Sequence, residues 1–309
     1  MTNKMANDFL QRDWDLELED DLRQLIRLGI REDLRHEHDW TTLAVIPADA
    51  TGKASVVARD TGVIAGLKTI DVILDETNVA GSCSIQCADG QTVTSGQAIV
   101  VIEASARELL TIERLILNFI GRLSGIATLT AQYVSHVEGR CRVYDTRKTT
   151  PGWRRLEKYA VRCGGGMNHR IGLHDAIMIK DNHLAISNSA SVDLTMRQAI
   201  EMARNTAASI ERDQDVIVEV EVDTLEQLTD VIPAEPDIVL LDNMTVEELQ
   251  QAVAMIRDTN SGIELEASGG VTLETIGEIS QSGVDRISVG ALTHSAVNFD
   301  VGLDWSFRP

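Results

Sequence analysis

Ten lysines and arginines stand between Arg140 and Lys180 against three acids, Asp145, Glu157 and Asp175, in a chain whose formal net charge is −20. Positive charge is therefore concentrated in one stretch of an otherwise acidic protein. Arg154, Arg155, Lys158 and Arg162 follow helical spacing and read as the solvated face of a charged helix. Arg147, Lys148, Arg170 and Lys180 have no such spacing and flank short apolar or glycine-bearing runs. Guanidinium forks match carboxylates and phosphates in two-point contacts and an ammonium supplies a point charge, so these four point to a small anionic ligand.

Two further groups suit the same chemistry. Glu219, Glu221 and Asp223 share one strand face by the two-residue period, and Asp242 closes the next apolar run. Carboxylates so placed are hard-oxygen partners for magnesium, which keeps much of its water. Glu219 and Asp223 also read acceptably as solvated strand-end acids. Ser268-Gly269-Gly270 and Gly290-Ala291 end the last two apolar runs ahead of helices, where small residues let backbone N–H groups approach a phosphate, with His294 nearby.

These residues need a scaffold that brings many strand ends together. After Gly139, short apolar runs (Val143, Ala176–Ile179, Val216–Val222, Ile238–Leu241, Ile263–Leu265, Ile287–Val289) alternate with helical segments. Polar residues end nearly every run, the arrangement of a βα barrel with its site at the C-terminal mouth. An open doubly wound sheet is the second choice, since it would use fewer strand ends. Ahead of the barrel, a helix over Leu16–Leu34 and strands over Gly52–Asp60, Ser82–Ala88 and Ala98–Ala104 form an α+β module. A long helix from Ala106 to about Val137 buries Leu109, Ile112, Ile116, Phe119 and Leu123 on one face and leaves Thr111, Arg114, Asn118 and Arg122 opposite. Arg114 is then available to a site, and Arg122 is assigned to surface. The fold class is α/β: an N-terminal α+β domain over 1–127, with the tail 297–309 packing on it, and an incomplete βα barrel over 128–296.

At 309 residues, 43% apolar and with five prolines, the chain is expected to fold as two domains with large cores. Its acidity opposes nucleic acid and anionic membranes as partners. No apolar run is long enough to span a bilayer, and Met1–Asp21 lacks the basic-then-apolar order of a secretory signal, so a soluble cytoplasmic protein is expected. Cys83, Cys87, Cys141 and Cys163 contain no CxxC pair and read as reduced thiols without function.

The stretch DTRKTTPGWRRLEKYAVRCGGGMNHRIGLHDAIMIKDNH, Asp145 to His183, resembles the quinolinate phosphoribosyltransferase family in residue order and spacing. Further similarity lies in ERLILNFIGRLSGIATLT (Glu113–Thr130), VEVEVDTLEQL (Val218–Leu228), LLDNM (Leu240–Met244), LEASGGV (Leu265–Val271) and ISVGALTHS (Ile287–Ser295). The resemblance is weakest before Trp40, and the stretch from His183 to Val216 is longer than the family's usual length. It implies transfer of phosphoribose from phosphoribosyl pyrophosphate to quinolinate with decarboxylation, giving nicotinate mononucleotide for NAD biosynthesis, with magnesium and no organic cofactor.

By the same resemblance, Arg147, His169, Arg170 and, across a homodimer interface, Arg114 hold quinolinate. Lys148 and Lys180 reach between it and the donor, with Lys148, Glu221 and Asp242 as the catalytic set. Glu221 and Asp242 serve magnesium and the ribose hydroxyls, directly or through water, and Glu266 is a weaker third. Ser268, Gly269, Gly270, Gly290, Ala291 and His294 take the donor's 5-phosphate. Three alternatives remain: a paralogous family of molybdenum transport loci, a Schiff-base lyase using Lys180, and a phosphate-ligand sensor. The intact RK, HR, IKDNH and THS sets favour quinolinate.

Overall fold

The computed structural model describes residues 8–189, 194–211, 215–259 and 262–306. In chain order these give α1 (Leu16–Leu34), α2 (Trp40–Val45), β1 (Thr51–Ala58), β2 (Gly62–Val63), α3 (Lys68–Glu76), β3 (Gly81–Ile85), β4 (Thr92–Val93), β5 (Ala98–Ser105) and α4 (Ala106–Val137). There follow β6 (Arg142–Tyr144), α5 (Arg154–Cys163), β7 (Ile177–Ile179), α6 (Asp181–Ser189), α7 (Met196–Ala208), β8 (Val218–Val222), α8 (Leu225–Val231), β9 (Ile238–Asp242) and α9 (Val246–Asp258). Last come β10 (Glu264–Ser268), α10 (Leu273–Ser280), β11 (Arg286–Ser288), α11 (Ala291–His294) and β12 (Val301–Ser306). Residues 1–7 and 307–309, which the expected leaderless start and C-terminal tail include, lie outside the described residues.

The chain forms two compact units and passes between them more than once. One takes in residues 12–131, 148–166 and 292–306; the other takes in residues 8–11, 132–147 and 167–291. In the first, an antiparallel sheet runs β12-β1-β5-β3. Its outer strand is the last described segment, in register from Lys53↔Ser306 to Ala58↔Val301. Asp15 caps α1 by accepting from the Leu18 N–H at 2.8 Å, and Leu18, Leu22 and Ile26 recur every four residues on its buried stripe. Phe119 of α4 stacks on Trp153 at 4.8 Å, tying α4 to the start of α5.

Two expectations fail on this unit. Lys158 is fully buried, so α5 is not a wholly solvated charged helix. Arg122 is no neutral surface residue: it pairs with the buried Glu157 at 2.6 Å and donates to the carbonyls of Thr293 and Ala296. A carboxylate without exposure needs its charge answered locally, and Arg122 answers it.

The second unit is a six-stranded parallel sheet of order β6-β11-β10-β9-β8-β7. Successive strands are neighbours from β7 to β11, and β6 closes beside β11. The order never reverses, which excludes a doubly wound sheet and makes the unit an incomplete βα barrel with its opening between β6 and β7. Threonines start the covering helices: Thr195, Thr224 and Thr245 each cap by accepting a backbone N–H three residues on. No helix among the described residues is long and apolar enough to cross a membrane.

Candidate active site

Parallel pairing sorts the barrel strands into two faces. Val143, Ile287, Leu265, Ala267, Val239, Leu241, Val218, Val220 and Val222 occupy one parity and are buried and apolar. The other parity carries Arg142, Tyr144, Arg286, Ser288, Glu264, Glu266, Ser268, Asp242, Glu219 and Glu221. The barrel interior is thus lined mainly with polar and charged groups.

Nearest the strand starts, Arg286 has no exposure and is ion-paired with Glu264, with Asp8 at 3.5 Å. Arg142 shares those two acids at 2.6 and 3.1 Å, and the Tyr144 hydroxyl donates to Asp8 at 2.7 Å. The Arg286 guanidinium also lies 4.6 Å from the centre of the Tyr144 ring.

One level higher, the segment after Gly166 runs along β6 and lines the barrel's opening. The Met167 N–H donates to the Val143 carbonyl at 2.8 Å, and Asp145 accepts from the Asn168 amide and the His169 N–H at 2.8 and 2.9 Å. The imidazole of His169 is thereby aimed at two fully buried acids, with Nε2 at 3.2 Å from Glu219 and 3.5 Å from Glu266. The donor atoms of these three residues lie within 4.8 Å of one another, spacing that could hold a metal ion. The Arg170 N–H donates to His169 Nδ1 at 2.8 Å, which makes Nε2 the protonated nitrogen of the neutral ring. In that tautomer the cluster is a hydrogen-bonded one, and a metal would have to displace the Nε2 proton.

Burial, relieved by Arg286, Arg170 and Lys180, lifts the Glu219 carboxyl to about 7, and burial likewise raises Glu266. Glu219 is therefore no solvated strand-end acid; only Asp223 is exposed. The raised value has a consequence for stability. Below the ordinary carboxyl value of 4.5 the folded and unfolded states both hold the proton; from there to about 7 only the folded state does, so stability falls as pH rises through that window. Urea unfolding of Glu219→Gln at a series of pH values should give a flatter profile than the unsubstituted protein, and equal slopes would remove this account.

At the strand ends, Lys180 follows β7 and donates to Glu221 of β8. Asp242 ends β9 level with Ser268 of β10 and accepts from Asn243 at 2.7 Å. Gly269 holds a φ of +92° where any Cβ would collide with the Asn243 side chain, and Gly270, at +59°, faces open space. Gly290 lies two residues beyond β11, and Ala291 opens the four-residue α11, too short for much dipole. Arg170 is buried, and its guanidinium has a long 3.4 Å bond to the Ala176 carbonyl and a 3.1 Å contact with the Met178 sulfur. Burial pulls its pKa down, with Glu219 acting against that and Arg147 adding to it. A guanidinium so poorly answered is poised for an anionic ligand. Arg114 and Lys148 are exposed and belong, with His294, to the other unit.

Comparison with known proteins settles the family. The models of the quinolinate phosphoribosyl transferase N-terminal and C-terminal domains match residues 39–124 and 126–304. The chain belongs to the quinolinate phosphoribosyltransferase family. It is 43% identical over 288 residues to the carboxylating nicotinate-nucleotide pyrophosphorylase of Mycobacterium leprae, covering 92% of this chain and 97% of that one. The Bacillus subtilis protein named as a probable enzyme of the same kind is 41% identical, covering 92% and 93%. Among solved structures, the nicotinate-nucleotide pyrophosphorylase of Francisella tularensis superposes with a TM-score of 0.85 at 34% identity, covering 97% of this chain and all of that one. Within the family's barrel unit, sequence reasoning singled out Arg170, Lys180, Glu221 and Asp242. It passed over Arg286 entirely and underrated Glu219. The only signal for either was a charged residue at an inward parity of an apolar strand.

Proposed function

We propose that the chain transfers the phosphoribosyl group of phosphoribosyl pyrophosphate to quinolinate with decarboxylation, releasing nicotinate mononucleotide, pyrophosphate and carbon dioxide for NAD biosynthesis. The enzyme is a decarboxylating pentosyltransferase of its family. The observation that carries this reading is the buried, under-answered guanidinium of Arg170, set in the unit whose strand ends carry Lys180, Glu221 and Asp242.

Arg147 and Arg170, with His169 behind them, hold the two adjacent carboxylates of quinolinate, and Arg114 joins them from the second subunit of a homodimer. Lys148 and Lys180 stand between the acid and the donor and offset charge as pyrophosphate departs. Positioning dominates the first step: the pyridine nitrogen must reach the anomeric carbon from the face opposite the leaving group. Once quaternised, that nitrogen stabilises the electron pair left when the 2-carboxylate is lost, and the ring carbon then takes a proton. Ser268, Gly269, Gly270, Gly290, Ala291 and His294 receive the 5-phosphate.

Glu221 and Asp242 fit magnesium: both are partly exposed oxygen donors on adjacent strands, so a hydrated ion can meet them directly or through water. When bound, the ion neutralises pyrophosphate charge. The buried cluster of His169, Glu219 and Glu266 suits magnesium less, because it offers a nitrogen donor and is shielded from solvent. Lys180 is ion-paired with Glu221, a contact that a Schiff-base lyase would have to break before its lysine could attack a carbonyl. A cytoplasmic location without nucleic acid or membrane partners completes the reading.

The test is to incubate the purified protein with quinolinate, phosphoribosyl pyrophosphate and magnesium and to follow nicotinate mononucleotide and carbon dioxide. Equimolar formation of the two is expected. No product, or equal use of nicotinate in place of quinolinate, would overturn the assignment.

A further inference from the structure

The match to the family's N-terminal domain begins at residue 39, yet residues 8–11 are part of the barrel unit. They lie against the imidazole of His169 and against Arg142, Tyr144 and Arg286 near the strand starts. Phe9 is only 4% exposed, and its ring sits 4.2 Å from the imidazole of His169, tilted by 31°. The same ring meets Tyr144 edge-on at 6.5 Å and has the Arg286 guanidinium 5.7 Å from its centre. Asp8 fixes the segment from one side through Tyr144 and Arg142. Gln11 fixes it from the other: its amide donates to the Asn168 carbonyl at 3.1 Å and its oxygen accepts the Asn168 N–H at 2.7 Å. Phe9 thus touches His169 itself and Gln11 holds the residue before it, and His169 in turn accepts the Arg170 N–H.

We propose that Phe9 and Gln11 are positioning residues for the substrate site, acting through Asn168 and His169 to hold Arg170 where quinolinate binds. The physical case is that a flat ring against an imidazole restricts its tilt, and a two-point amide contact fixes the backbone one residue before it. Small displacements of a binding group weaken its contact with ligand steeply. The inference rests on the reading of Arg170 as a quinolinate cation.

The experiment uses the full chain with Phe9→Ala, Phe9→Leu, Phe9→Tyr, Gln11→Ala and Arg170→Ala, comparing the KM of each substrate with kcat. Phe9→Ala should raise the KM for quinolinate about tenfold while that for phosphoribosyl pyrophosphate moves less than about twofold. Phe9→Leu, which keeps much of the volume but not the flat face, should recover only part of the loss, and Phe9→Tyr, which keeps the ring, should recover more. Combined with His169→Ala, Phe9→Ala should add nothing further, since both act through one ring. Wild-type KM for quinolinate in a folded Phe9→Ala enzyme overturns the proposal, as does an equal rise in both KM values. Should Phe9→Ala fail to fold, Gln11→Ala decides: a selective rise of about threefold or more in the quinolinate KM supports the proposal, and none overturns it. Arg170→Ala reports separately, because an unchanged quinolinate KM there removes the underlying reading whatever Phe9 does.

Discussion

Alanine at Lys180 should lower kcat/KM by roughly 10²-fold or more while leaving the fold intact, the usual cost of removing one electrostatic contact from a transferring group. Lys180 follows a three-residue strand, is about 40% exposed and donates to Glu221. The barrel does not lean on it for packing, so thermal unfolding should change little. Its removal also frees the Glu221 carboxylate, which strengthens the negative charge facing an anionic donor; the KM for phosphoribosyl pyrophosphate should therefore rise along with the fall in kcat. Arginine at the same place is expected to rescue poorly, since a planar fork cannot reproduce a compact ammonium. Steady-state kinetics settles this, and near-normal turnover in Lys180→Ala would remove the lysine from the mechanism. The same variant tests the proposal that a homodimer shares its sites. Mixed and exchanged with Arg114→Ala, itself nearly inactive, it should recover about a quarter of the normal activity, because half the dimers are mixed and each contains one intact site. No recovery would place Arg114 outside the neighbouring subunit's chemistry.

The residues at the strand ends were legible because two simple signals coincide there. An apolar run that stops at Lys180, Glu221 or Asp242 marks where a strand leaves the core, and a parallel sheet gathers such ends at one mouth. The barrel interior was far less legible. Glu219 and Glu221 share a parity and differ only in depth, and depth depends on neighbours that the local pattern does not contain: one meets His169 inside, the other meets Lys180 at the rim. Arg286 drew no reading because its partners are not local: Glu264 belongs to another strand, and Asp8, which it also shares with Arg142, lies more than 130 residues away in sequence. Arg122 and Lys158 were misplaced for a related reason. Helical spacing tells which residues share a face, and only the packed structure tells whether that face is wet. Very short strands such as β6 contribute a further limit, since three residues hold too little alternation to assign parity.

Replacing Arg286 by methionine should cost about 3–5 kcal/mol of stability, because it removes the fully buried one of two arginines in the network and leaves its acids behind. The guanidinium has no exposure, pairs with Glu264 and lies near Asp8, and its charge also lowers the pKa of both Glu219 and Glu266. Neither of those glutamates has any exposure, so the charge of Arg286 is part of what compensates for keeping them inside. Methionine fills much of the volume and can lie on the Tyr144 ring, which confines the change to electrostatics. The melting temperature should then fall by about 10 °C at neutral pH. A second feature separates this cause from a packing defect. Protonated carboxyls need no counter-charge, so the loss should shrink as pH drops below the raised value of Glu219, about 7, whereas a cavity would cost the same at every pH. Unfolding of Arg286→Met at pH 5 and pH 8 is the deciding measurement, and a deficit of equal size at both would mean that the charge of Arg286 is not what keeps the acids of the barrel floor in place.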